Sequence, residues 1–167
     1  CQSTSQILIK NQKFGNVEKQ STIFTGKNFE AIVGMAYPAL AEKGVKPVFD
    51  EMMSQKLLQD NVFAFYFTSK QAEDMGMKSD LTLGYYDKAK FSGDIHWNPV
   101  QFKYMYGVTL DDVKINGQST GVCSGKSCLI TFDSGTSLMS MPKFATDSLN
   151  SQGFPVADKA VRCRDAS

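Results

Sequence analysis

At 167 residues the chain is long enough to bury a sizeable core as one ordinary domain. Its composition, 42% apolar and 21% charged with a net charge of +1, fits a globular protein and offers no polybasic footprint for nucleic acid. The longest nearly apolar stretch, residues 31–41, is too short to span a bilayer and contains Pro38, so no membrane span is expected.

In chain order, β-rich runs of period two at residues 6–10 and 22–25 predict strands. Pro47 then sits at the start of a helix in which Val48, Phe49, Met52, Met53 and Leu57 recur at helical spacing. Met52 and Met53 belong to that apolar face and read as core filling rather than as ligands. Further strands are predicted at 62–68, 81–85, 93–97, 101–110, 112–115 and 128–132. Asn116-Gly117 after Val113-Lys114-Ile115 signals a hairpin, because both residues tolerate positive φ. Pro142-Lys143-Phe144 opens a second helix that runs to about Leu149. The fold class is therefore all-β with minor helices, without an internal repeat or a low-complexity tract. No signal peptide is visible, and processing or truncation would explain the abrupt opening at Cys1.

Four cysteines stand at positions 1, 123, 128 and 163. Cys123-Ser124-Gly125-Lys126-Ser127-Cys128 is a tight loop that a local disulfide can close, which would point to an oxidising compartment. The other readings are two free thiols or half a zinc site, but zinc takes about four ligands and the single histidine, His96, is remote in sequence. Cys1 and Cys163 either pair with each other or have partners outside this stretch.

The most informative segment is Ile130-Thr131-Phe132-Asp133-Ser134-Gly135-Thr136-Ser137. A short apolar strand runs into an Asp, and Gly135 lets the backbone turn and a ligand approach. The hydroxyls of Ser134, Thr136 and Ser137 are placed to hold the carboxylate and the loop. By itself Asp-Ser-Gly is also ordinary turn composition. With one histidine and no paired nucleophile, a serine or cysteine triad is not supported.

The segment resembles the Asp-Thr/Ser-Gly-Thr/Ser signature of pepsin-like aspartic proteases, and the resemblance extends well beyond it. Phe29-Glu30-Ala31-Ile32-Val33-Gly34-Met35-Ala36-Tyr37-Pro38 is similar to the family's Phe-Asp-Gly-Ile-Leu-Gly-Leu-Ala-Tyr-Pro, and Pro47-Val48-Phe49-Asp50 matches its Pro-Val-Phe-Asp. Leu81-Thr82-Leu83-Gly84, followed by Phe91-Ser92-Gly93-Asp94-Ile95-His96-Trp97-Asn98-Pro99-Val100, resembles Leu-Gly-Gly and Tyr-Thr-Gly-Ser-Leu-Asn-Trp-Val-Pro-Val. The small cysteine loop also precedes the family's second catalytic Asp. These matches keep their order over residues 29–167, with a looser match before them. Glu30-Ala31 in place of Asp-Gly, Thr131 at a commonly apolar position and a slightly longer cysteine loop are departures, and none removes a catalytic group.

The resemblance implies a bilobal all-β fold, incomplete in this chain, with residues 1–40 ending the N-terminal lobe and its interlobe strands. Residues 41–167 would be the inter-lobe helix and part of the C-terminal lobe. It implies an aspartic endopeptidase acting at acidic pH through two carboxylates and a water. One of them would be Asp133, while the first motif and the flap lie outside this chain. Ser134, Gly135, Thr136 and Ser137 would form the active-site loop, with Gly135 and Thr136 bonding substrate backbone. Phe29 and Ile32 would line the pocket before the scissile bond, and Phe91 stands where a tyrosine often lines the pocket after it; plain core packing is the alternative for each aromatic. No metal or organic cofactor is implied. Expected partners are protein or peptide substrates and the remainder of the same polypeptide, with no nucleic acid, and the complete protein would be a monomer. The expected location is the secretory pathway, a lysosome or vacuole, or the exterior. Two rivals share the motif: a catalytically inactive binding protein of the same fold, and a homodimeric retroviral-type protease. Against the latter, the motif stands late in the chain with no flap after it.

Overall fold

The computed structural model describes residues 6–26, 29–154 and 156. Its contacts gather into two compact units that divide between Trp97 and Asn98.

The first unit is built around one helix and one strand pair. Helix α1, Val48–Ser54, follows Pro47 and carries Asp50 and Glu51 in its first turn, where carboxylates favour the positive end of the helix dipole. Phe49 and Met52 are its buried face. Lys56, at a positive φ of 55°, ends the helix, and the Leu57 N–H donates back to the Met52 carbonyl. Strands β1, Phe63–Tyr66, and β2, Asp80–Leu83, pair antiparallel with Phe63 opposite Leu83 and Tyr66 opposite Asp80. The Phe49 ring meets that of Phe63 edge-on at 5.0 Å, which seats the helix on the strand pair. Between the strands lies α2, Lys70–Asp74, whose Ser69 N-cap accepts a bond from the Ala72 N–H. Single 3-10 turns occupy Thr22–Phe24, Pro38–Leu40 and Lys88–Lys90.

In the second unit β3, Phe102–Lys103, β4, Tyr106–Leu110, and β7, Cys128–Ile130, form a three-stranded sheet with β4 at its centre. Strands β5, Lys114–Ile115, and β6, Gln118–Ser119, make the predicted hairpin, with Asn116 and Gly117 at positive φ of 51° and 80°. Helix α3, Lys143–Ser151, buries Ala145 and Leu149, one turn apart on one face. They pack against Val122 and Cys123, with Leu110, Ile115, Cys128, Met141, Phe154 and Val156 around them. The Gln152 Nε2 donates to the Thr120 carbonyl at 2.9 Å, tying the end of the helix to the loop before the disulfide.

The all-β reading with minor helices holds: every named strand pair is antiparallel and the helices are short. Both predicted helices form; the first stops at Ser54, short of Leu57, and the second runs on to Ser151. The single strand predicted at 101–110 divides into β3 and β4, which pair with each other. Three predicted strands do not form. Residues 6–10 carry no ladder, because the Lys10 N–H and carbonyl bond instead to the side-chain amide of Gln55. Residues 22–25 fold as a 3-10 turn closed by the Thr25 N–H on the Thr22 carbonyl. Residues 93–97 have no strand partner among the described residues. The helix α2, which begins with the Ser69 cap, was not predicted. No described helix is long and apolar enough to cross a membrane.

Candidate active site

Strand β7 fixes the approach to Asp133. Its residues Cys128, Leu129 and Ile130 pair with Leu110, Thr109 and Val108 of β4. Its first residue is joined to Cys123 by a disulfide with Cα atoms 5.7 Å apart, and Cys123 is buried in the core beneath α3. Three residues beyond the strand the chain turns at Asp133, and every residue from Thr131 to Ser140 is exposed.

The turn is held by its own carboxylate. The Gly135 N–H donates to Asp133 Oδ1 at 2.9 Å, and the Thr136 hydroxyl donates to Oδ2 at 2.6 Å. The Thr136 N–H closes the turn on the Asp133 carbonyl at 3.1 Å. Short side chains reach their own backbone two and three residues on in this way, so the geometry follows from local sequence alone. The Thr136 hydroxyl and then the Gly135 N–H favour the charged form, and together they outweigh burial and hold Asp133 below the ordinary carboxylate pKa. A Cβ at Gly135 would stand 3.2 Å from Oδ1, so the absence of a side chain there lets the carboxylate fold onto the turn.

Of the hydroxyls read as holding the carboxylate, only that of Thr136 does so; Ser134 and Ser137 are exposed in the same loop and are not its partners. Their positions bring neither hydroxyl back to the oxygens that Gly135 and Thr136 occupy. The remaining apolar side chains of the loop, Phe132, Leu138 and Met139, are exposed beside it.

The aromatic and aliphatic candidates belong to the first unit. Phe29 is half exposed and meets the Phe24 ring edge-on at 6.1 Å, whereas Ile32 is 72% exposed. Phe91 lies 6.0 Å from the ring of Tyr86, which in turn lies 6.4 Å from that of Trp97. Tyr86 and Trp97 were not anticipated as neighbours of Phe91; the signal was the density of aromatics in residues 85–97. His96 is exposed and is not on a strand. Two shallow recesses of the first unit, lined by Glu73 with residues 76–79 and by Asn11, Gln12, Lys13, Gly44, Lys46 and Glu51, contain none of the predicted site residues. Among the described residues no group of three His, Cys, Asp or Glu is gathered as a metal site would require. Cys1 and Cys163 lie outside the described residues.

With this geometry in place, residues 3–164 match the family model of the eukaryotic aspartyl protease. The chain belongs to that family. It is 37% identical over 141 residues to cathepsin E of Cavia porcellus, covering 84% of this chain and 35% of that protein. Cathepsin E-B of Xenopus laevis is 35% identical over 137 residues, covering 81% of this chain and 34% of that protein. A pregnancy-associated glycoprotein of Equus caballus is 36% identical over 143 residues, 84% of this chain and 35% of its own. The aspartyl protease chain described here thus spans 34–35% of the length of these relatives.

Proposed function

We propose that the complete polypeptide is an aspartic endopeptidase hydrolysing bonds between apolar residues at acidic pH, with Asp133 as one of its two carboxylates. The observation that carries this reading is the exposed Asp133 carboxylate, bonded on both oxygens by its own turn and held toward the charged form. In such a dyad one carboxylate takes a proton from water while the other donates one to the scissile carbonyl oxygen. Two close carboxylates cannot both ionise cheaply, so the pair shares a proton. Asp133, with two donors on its oxygens, suits the ionised role. The second carboxylate, from the family's other Asp-Thr/Ser-Gly loop, takes the protonated one.

Substrate backbone would meet the Gly135 carbonyl and the Thr136 hydroxyl oxygen, since the Thr136 N–H is already used within the turn. Ser134 and Ser137 complete the loop. Phe29 and Ile32 line the pocket before the scissile bond and Phe91 the pocket after it, with the lobes dividing between residues 40 and 41. The complete protein acts as a monomer on proteins or peptides, without cofactor. The Cys123–Cys128 disulfide supports a secretory, lysosomal, vacuolar or extracellular setting.

The test is cleavage of fluorogenic peptides by the complete polypeptide from about pH 2 to 7. Activity should peak in acid, and Asp133→Asn should lower kcat by on the order of a thousandfold or more. A folded protein inactive at every pH would favour the binding-protein reading, and one indifferent to Asp133→Asn would refute the role of this loop. The 167-residue polypeptide alone, with one such loop, should not turn over. Turnover abolished by Asp133→Asn in that preparation would revive the homodimer.

A further inference from the structure

Residues 10–13 are held against α1 and the loop before it by side chains rather than by a backbone ladder, all within the first unit. The Lys10 N–H donates to Gln55 Oε1 at 3.0 Å, and Gln55 Nε2 donates to the Lys10 carbonyl at 2.8 Å, so one side-chain amide grips both backbone groups of one residue. The second proton of that Nε2 goes to Glu51 Oε1 at 2.8 Å, one turn back on α1. The other oxygen of the same carboxylate, Oε2, lies 3.2 Å from the Lys46 ammonium. Lys46 belongs to a second grip: its carbonyl accepts from Gln12 Nε2 at 3.0 Å, and the carbonyl of Gly44 accepts from the Lys13 ammonium at 3.4 Å. Asn11, at a positive φ of 57°, turns the chain between the two grips. Glu51 therefore joins them, one oxygen to each. It lines a recess with Asn11, Gln12, Lys13, Gly44 and Lys46, so the charged residues around it are Lys13 and Lys46, with Asp50 beside it on α1. The bond from Gln55 and then that from Lys46 favour its charged form, outweigh desolvation and hold it below the ordinary carboxylate pKa.

We propose that Glu51 makes this clamp acid-sensitive: ionised, it holds Gln55 on Lys10 and Lys46 beside Gln12, and protonated, it lets residues 10–13 loosen from α1. A proton on the carboxyl removes the charge that attracts Lys46 and weakens the acceptor that orients the Gln55 amide. The sign follows from the depressed pKa: the clamp is complete above the ordinary carboxylate value and is lost as pH falls through the lower, folded one. Lys46 is half exposed, so the effect is a local and modest loosening rather than unfolding. It does not depend on the role of Asp133, which lies in the other unit.

The experiment follows amide hydrogen exchange of residues 10–13 in the complete polypeptide from about pH 6 down to about pH 2.5, corrected for the intrinsic pH dependence of exchange. Protection of the Lys10 N–H should fall by about two- to fivefold across that range, while the ladder amides of β1 and β2 keep theirs. Glu51→Gln still offers an acceptor to Gln55 but has no proton to take up, so its Lys10 protection should not change with pH. Lys46→Met keeps the apolar stem and removes the ammonium, so the fall should move to higher pH, toward the ordinary carboxylate value. Parent protection that does not change with pH, or a fall as large in Glu51→Gln as in the parent, overturns the proposal. So does a fall shared equally by β1 and β2, which would be a general loosening in acid. Should Glu51→Gln not fold, Lys46→Met decides: a fall that stays at the parent's pH refutes the coupling through Glu51.

Discussion

Replacing Thr136 by Val removes the hydroxyl that donates to Asp133 Oδ2 at 2.6 Å while keeping the shape of the side chain. The carboxylate is left with the Gly135 N–H alone, so its pKa must rise toward the ordinary carboxylate value. Hydrogen bonds to charged groups contribute about 1.5–3 kcal/mol, and competition from water at this exposed turn reduces that to about 1 kcal/mol. On the rate this corresponds to about fivefold. The pH dependence identifies the cause. If Asp133 acts as the ionised member of the pair, the acid limb of the kcat/KM profile moves to higher pH in Thr136→Val. The loss is then largest in strong acid and shrinks as pH rises. Thr136→Ser, which keeps the donor, should restore most of the profile. Stability follows the same sign: a depressed pKa contributes stability above the unfolded value and loses it as pH falls through the folded value. The melting difference between Thr136→Val and the parent should therefore close at the lowest pH. An acid limb that stays in place or moves down, or a Ser variant as impaired as Val, would refute the assignment of Thr136 as the donor that sets the charge state of Asp133.

Two further outcomes are expected. Gly135→Ala puts a Cβ 3.2 Å from Asp133 Oδ1, so the carboxylate must shift by a few tenths of an ångström; kcat should fall by about tenfold, with the melting temperature within a few degrees of the parent. Replacing both Cys123 and Cys128 by Ser should cost about 2 kcal/mol or less in denaturant unfolding, because the bridged residues are only 5 apart, and should leave the pH profile in place.

The features legible in the sequence are those decided by near neighbours. The hairpin at Asn116-Gly117 needs two residues that accept positive φ, and both are adjacent. The disulfide closes a short loop, and α1 and α3 announce themselves through apolar spacing after a proline. The bonds of Asp133 are likewise local, reaching two and three residues along the chain. Residues 6–10 failed as a strand for the opposite reason. A β-rich run states that a segment suits a pleated surface, not which strand it will meet, and here Gln55 takes the backbone groups of Lys10 instead. The ion pair of Lys90 with Asp80, at 2.9 Å, was invisible on the same grounds, because it joins the Lys88–Lys90 turn to the start of β2.

The loop of Asp133 gets its definition from bonding rather than from burial. Residues 131–140 are exposed, so packing does little to hold the carboxylate; the β4 ladder and the disulfide fix the strand before it, and the two donors fix its oxygens. Both donors act in one direction, toward the ionised form. A shared-proton dyad needs the two carboxylates to differ, one staying charged while the other stays protonated into mild acid. Nothing in the turn of Asp133 raises its pKa beyond the small effect of burial. On the proposed function, the family's other Asp-Thr/Ser-Gly loop would hold its carboxylate in the same way, so the upward shift of one member would arise from the like charge of the other and belong to the pair rather than to either turn.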